Sequence, residues 1–220
     1  MKTTSPETLL LISIVVAIVP LLLAVGTCYL KFTIVLSLLR SGFGTQQAPS
    51  ASLVMALSVV LSLVVMQPVL RETGERLSTI EMTQISGSSV IEGGKRLLSA
   101  VEPWRAFLVE HAGERELMTF ARLASGKTQE SAAPPEKFED PSIGVALGAF
   151  VLSEIKRGFV IAFFLLIPFF VIDVVVSNLL VSLGLTMLSP VVVTLPLKLL
   201  LFISSDGWLL LAQSLVQSYQ

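Results

Sequence analysis

The 220-residue chain has one histidine, one cysteine and few charges. A lone histidine, His111, cannot build a metal centre, and there is no Cys/His cluster for it to join. Cys28 by itself excludes an intramolecular disulfide. It sits in an apolar run, where a free thiol behaves as a small hydrophobe. No glycine-rich phosphate loop follows a strand pattern. "SGKT" at Ser125–Thr128 lacks the first glycine of such a loop. Serine is plentiful, but without a nearby histidine it has no triad partner. Catalytic, cofactor-binding and metal-ligating residues are therefore all expected to be none. Only 14% of residues are charged, against about a quarter in a soluble domain. The net charge of -1 gives no reason to expect nucleic acid as a partner.

What is abundant is apolar: 53% of the chain is hydrophobic. That excess points to an all-α membrane protein. Charge is segregated. Residues 71–140 hold nine of the fifteen Lys/Arg and twelve of the sixteen Asp/Glu. Three segments are expected: an N-terminal apolar helix pair over 1–70, a polar extramembrane helical region over 71–142, and a C-terminal apolar helix pair with a loop over 143–220.

A helix needs about 20 mostly apolar residues to span a bilayer. Four stretches approach this: Leu9–Leu30, Leu53–Leu70, Phe159–Leu183, and Val191–Ile203 resuming at Trp208–Val216. The second contains Gln67 and Pro68; the fourth is broken by Pro196, Lys198 and "SSDG" at Ser204–Gly207. Such spans face protein more than lipid. "AVG" at Ala24–Gly26 loosely matches a cleavage site. The long apolar run, with Lys2 opposed by Glu7, argues against a cleaved signal. Orientation is mixed. Lys31 and Arg40, in a short connection after the first span, place that connection in the cytoplasm, whereas Lys156 and Arg157 argue the other way.

In the polar middle, Leu97, Val101, Trp104 and Leu108 fall at helical spacing, as do Leu117, Phe120, Ala121 and Ala124. Two short amphipathic helices are predicted in 95–124, with Pro103 placed to start one. Ser125–Pro141 reads as a flexible connector.

Glu154, Asp173, Lys198 and Asp206 lie in or beside the apolar segments. A charge at a bilayer centre costs about 2.5–3.5 kcal/mol. These groups must therefore pair, line water, or stay out of lipid. Two readings stay open for Glu154: a paired group, or an acid at a helix start favoured by the dipole. Lys198 is either paired or snorkels from a helix end. Pro20, Pro68, Pro168, Pro190 and Pro196 can each bend or break a helix. "GVALG" at Gly144–Gly148 allows close helix approach.

Three stretches occur in order: "GTCYLKFTIVLSLLRSGFGTQQAPS" at Gly26–Ser50, "AFVLSEIKRGFVIAFFLLIPFFVIDVVVSNLL" at Ala149–Leu180, and "LGLTMLSPVVVTLPLKLLLFISSDGW" at Leu183–Trp208. Together they resemble the FliP/SctR family of type III secretion export-apparatus proteins. The motif positions are Gln46, Gln47, Pro49, Pro168, Asp173, Asn178, Pro190 and Pro196. Ser50 stands where the family usually has a second proline, and "GAF" replaces "PAF" before the third span.

The resemblance implies helical hairpins that assemble into a cone, with about five copies in a ring. The partners it implies are a small two-helix export protein, a related third export-gate protein and other export-apparatus membrane proteins. The assembly would sit in the bacterial inner membrane, project to the periplasmic side, and pass unfolded secretion substrates. It implies a pore constriction at Leu185, Thr186 and Met187, where the family's loop is richer in methionine, or else simply an apolar turn before Pro190. It also implies an ion pair between Glu154 and Lys198, formed between subunits. For Asp173 it names no partner. The expected function is a structural, pore-forming export-gate subunit with no enzymatic activity. The absence of a convincing cleaved signal favours an injectisome over a flagellum. The alternative is a subunit of a solute or ion transporter using Asp173 and Lys198. An intramembrane enzyme is a third reading, opposed by the missing catalytic constellation.

Overall fold

A computed structural model describes residues 13, 17, 24–44, 49–78, 99–126 and 141–219. Among these residues every regular element is a helix, as the composition led us to expect. In chain order they are α1 (Tyr29–Gly42), α2 (Ala51–Ser78), α3 (Glu102–His111), α4 (Glu114–Ala124), α5 (Ile143–Ser182), α6 (Pro190–Ser204) and α7 (Gly207–Gln217).

Two of them, α2 and α5, are long and apolar enough to cross a membrane. They contain the second and most of the third expected span. At 40 residues α5 is about 60 Å long by helical rise, roughly twice the hydrocarbon thickness of a bilayer. The fourth expected span is the pair α6 and α7, bent by 62°. The break does not come from Pro196, which lies inside α6. It comes at Asp206, whose backbone takes the left-handed conformation (φ 50°) that terminates a helix. Pro68 and Pro168 likewise lie inside continuous helices. Most of Leu9–Leu30, and the connector over 127–140, lie outside the described residues.

One expectation changes here. The stretch carrying Lys31 and Arg40 is helix α1, not a connection. Its buried residues are Lys31, Phe32, Val35, Leu36 and Leu39, a single helical face. Lys31 is thus a core residue and carries no information on membrane orientation.

The chain forms two compact units. The first takes the described residues of Met1–Leu30 and Met66–Ser153. Both predicted amphipathic helices are found here as α3 and α4, with Pro103 in the first turn of α3. The Trp104 indole N–H donates to the Gly26 carbonyl at 2.7 Å. Phe107 packs on Phe150 with ring centroids 5.8 Å apart. The Gly113 N–H at the start of α4 donates to Ser153 Oγ at 2.7 Å. Of the two glycines in "GVALG", Gly148 faces the Phe120 ring closely enough that a Cβ there would collide, while Gly144 faces open space. The Arg105 guanidinium bonds Glu102 and also reaches the Pro141 carbonyl at 3.1 Å. The Arg105 hydrogen bond to Glu102 is the largest effect on that carboxyl and, with the lesser attraction of the Arg105 and Arg76 charges, outweighs burial and holds it below its ordinary range.

The second unit takes Lys31–Val65 and Glu154–Gln220. Its centre is aromatic. Phe43 meets Phe169 at 5.0 Å and Phe202 at 5.5 Å, and Phe202 meets Trp208 edge-on at 5.0 Å. Helices α1 and α5 cross closely at Gly158, where a Cβ would lie 3.3 Å from Ile34. Outside this core the apolar surface is extensive. Only 22% of the most apolar window of α2, and 17% of that of α5, is buried within the chain.

Candidate functional site

The turn between α5 and α6 is built by local chemistry. Gly184 takes a positive φ of 73°. The Leu185 N–H donates to the Leu180 carbonyl and the Gly184 N–H to the Val181 carbonyl. This is the paired bonding that closes a helix with glycine just past its end. Ser189 precedes Pro190, which occupies the first turn of α6, where a missing N–H costs nothing. Leu185, Thr186 and Met187 occupy the tip, and all three are exposed. Met187 is 100% exposed.

The apolar second unit carries two charged nodes. In the first, Lys31 Nζ lies 3.4 Å from Glu154 Oε2, and both side chains are fully buried. The Tyr219 hydroxyl donates to the same carboxylate, and its ring lies 3.5 Å from the Lys31 ammonium. Arg157 approaches the other carboxylate oxygen at 3.5 Å. Glu154 is therefore a paired core residue well inside α5, not an acid at a helix start.

In the second node, Lys198 Nζ lies 2.7 Å from Asp173 Oδ2 and donates to the Gly42 carbonyl at 2.8 Å. The Lys198 side chain is only 3% exposed, so it does not snorkel. Asp173 thus gains the partner that the sequence left unassigned. One lysine ties α6 to α5 and to the last residue of α1. Within the chain Glu154 and Lys198 do not pair, because each takes a different partner.

The remaining motif residues are spread out. Gln46 and Gln47 lie outside the described residues, and Pro49 sits in the bend before α2. Pro168, Asn178, Pro190 and Pro196 are exposed. Sequence reasoning missed Lys31 and Tyr219 as partners of Glu154. The usable signal was present for Lys31: it precedes Phe32 and lies four residues before Val35, on the apolar stripe of a helix. Tyr219 had no such signal, since its place depends on the bend at Asp206.

The FliP family profile matches residues 11–215. The chain is 36% identical over 208 residues to "Surface presentation of antigens protein SpaP" of Salmonella typhi, covering 92% of this chain and 91% of the relative. It is 36% identical over 211 residues to "Yop proteins translocation protein R" of Yersinia pestis, covering 96% and 95%. It is also 33% identical over 218 residues to "Flagellar biosynthetic protein FliP" of Bacillus subtilis, covering 99% and 94%. With a match that spans both apolar halves and the polar middle, this chain belongs to the FliP family.

Proposed function

We propose that the chain is a structural, pore-forming subunit of a type III secretion export gate in the bacterial inner membrane. It forms part of the entry portal for unfolded export substrates and catalyses no reaction. Several copies, about five in a closed ring, associate with other export-apparatus proteins. Among these are a small two-helix protein and a related third gate protein. The observation that carries this reading is the apolar surface of α2 and α5, whose most apolar windows are only 22% and 17% buried within the chain, on a member of the FliP family. An apolar face of that size needs lipid or further subunits. The length of α5, about twice the bilayer core, supports helices that continue out of the membrane plane, on the periplasmic side in this reading. The exposed tip Leu185–Met187 then lines the constriction, with Met187 as its most adaptable side chain.

Co-expression with the neighbouring operon products, followed by native mass spectrometry, tests the proposal. A discrete complex with about five copies plus small helical partners is expected. A lone monomer or dimer would overturn it and favour a transporter subunit.

A further inference from the structure

The Lys198–Asp173 pair is lopsided. The ammonium is buried and satisfied twice, by Asp173 and by the Gly42 carbonyl. The carboxylate is 42% exposed and, among the described residues, takes a single bond, through Oδ2. An ionised carboxylate has about four acceptor sites. Asp173 lines a cleft of about 400 Å³ together with Leu166, Phe170, Ser177, Val191 and Lys198. Ser177 stands one helical turn beyond Asp173 on α5 and adds a hydroxyl to the same apolar wall.

We infer that this cleft seats an apolar helix of a different subunit that presents one lysine or arginine to Asp173. Three observations favour that occupant. The outward charge of the pair is negative, so a cation complements it. The surrounding surface of α5, with Phe170 in the cleft wall and Val174 beside Asp173 both exposed, asks for an apolar body around that cation. Lipid chains would cover the apolar part but leave the carboxylate oxygen unbonded. A second copy of this chain is the poorer fit. From Gly158 to Tyr219 the only basic residue is Lys198, which is already buried. Arg157 is already engaged by Glu154. The inference rests on the reading of this chain as one subunit of a multi-chain assembly and names the chemistry of one neighbour.

The test places a photo-crosslinking p-benzoylphenylalanine at Phe170 in the full chain, co-expressed with its neighbouring operon products. Phe170 is exposed, so the larger ring is tolerated. Irradiation is expected to join it to an apolar helical segment of a co-expressed chain, within one turn of a single Lys or Arg. Replacing that basic residue by Gln, which leaves this chain untouched, is expected to reduce the crosslink about tenfold, one decade of affinity. Asp173→Asn is expected to do the same, and Asp173→Glu to retain it. Crosslinking to lipid, to a second copy of this chain or to a segment without a basic residue overturns the inference. So does no crosslink, or one that the Gln variant leaves unchanged. Native mass spectrometry of the same sample separates the two readings. An intact complex with a lipid crosslink refutes this inference alone, whereas a free monomer refutes the assembly as well.

Discussion

Lys31 and Glu154, 123 residues apart in sequence, face each other at 3.4 Å with both side chains withdrawn from solvent, and Tyr219 closes over them. Removing either charge takes the ion-pair partner from the other in a low-dielectric core, where breaking a buried pair costs up to about 3–5 kcal/mol, although Arg157 and the Tyr219 hydroxyl stay beside Glu154 when Lys31 is removed. Glu154→Ala and Lys31→Met are each expected to lower the thermal stability of the purified chain and to reduce the amount of complex. The double substitution Lys31→Met/Glu154→Gln is expected to recover much of that loss. Equal melting temperatures for single and double variants would contradict it.

The same carboxylate lets the intramolecular pair be separated from the pair expected between subunits. A double-mutant cycle on Lys31 and Glu154 is expected to show strong coupling in the isolated chain, because the groups touch there. A cycle on Glu154 and Lys198 is expected to show none in the isolated chain, since Lys198 is held by Asp173 and Gly42. Coupling of that second pair only in the assembled complex would mark the inter-subunit bridge. Its absence in both states would remove that bridge from the proposed ring.

Tyr219 contributes through two atom groups that can be tested apart. Tyr219→Phe removes the hydroxyl donated to Glu154 and keeps the ring over Lys31, a loss of about 1.5–3 kcal/mol for a bond to a charged group. Tyr219→Ala also removes the cation–π contact, worth about 2 kcal/mol more when desolvated. Denaturation midpoints in detergent should fall in that order. A Phe variant as unstable as the Ala variant would assign the whole effect to the hydroxyl.

Gly158 controls how closely α1 and α5 approach. A Cβ there meets Ile34 at 3.3 Å, so alanine is accommodated by a small shift while valine overpacks the crossing by about 1–3 kcal/mol. Gly158→Val combined with Ile34→Ala should regain most of the stability, which thermal melting of the four proteins checks. No rescue by Ile34→Ala would place the strain elsewhere.

The polar unit has its own acid limit. The folded state holds the Glu102 carboxyl below its ordinary value of 4.5, chiefly through the Arg105 hydrogen bond. A depressed folded value means that the unfolded chain binds the proton more readily. This contribution is therefore present above about 4.5 and disappears as pH falls through the lower, folded value. Arg105→Gln should flatten that part of the stability–pH curve. Glu102 is partly exposed, so the change is small and is diminished further by salt.

Much of this protein could be read from the chain as written. The apolar excess, the charge segregation and helical spacing specified an all-α membrane chain, including both short helices of the polar region. These are local properties, set by period and composition. Pro190 marked the turn before α6 for the same reason, since it constrains the backbone at its own position, whereas the role of Gly184 came only from its positive φ. Family membership was legible in the ordered motifs.

Charge partners were not legible. Which cation meets Glu154 depends on α1 continuing through Lys31, and the 62° bend near Asp206 brings the Tyr219 hydroxyl to the same carboxylate. Asp173 finds Lys198 only because the turn at Gly184 folds α6 back along the helix it follows. A sequence determines the period and polarity of each segment, since those follow from neighbouring residues. The pairing of buried charges is decided by where helices cross, and only the tertiary structure brings residues 25, 65 or 123 positions apart within hydrogen-bonding or ion-pair distance.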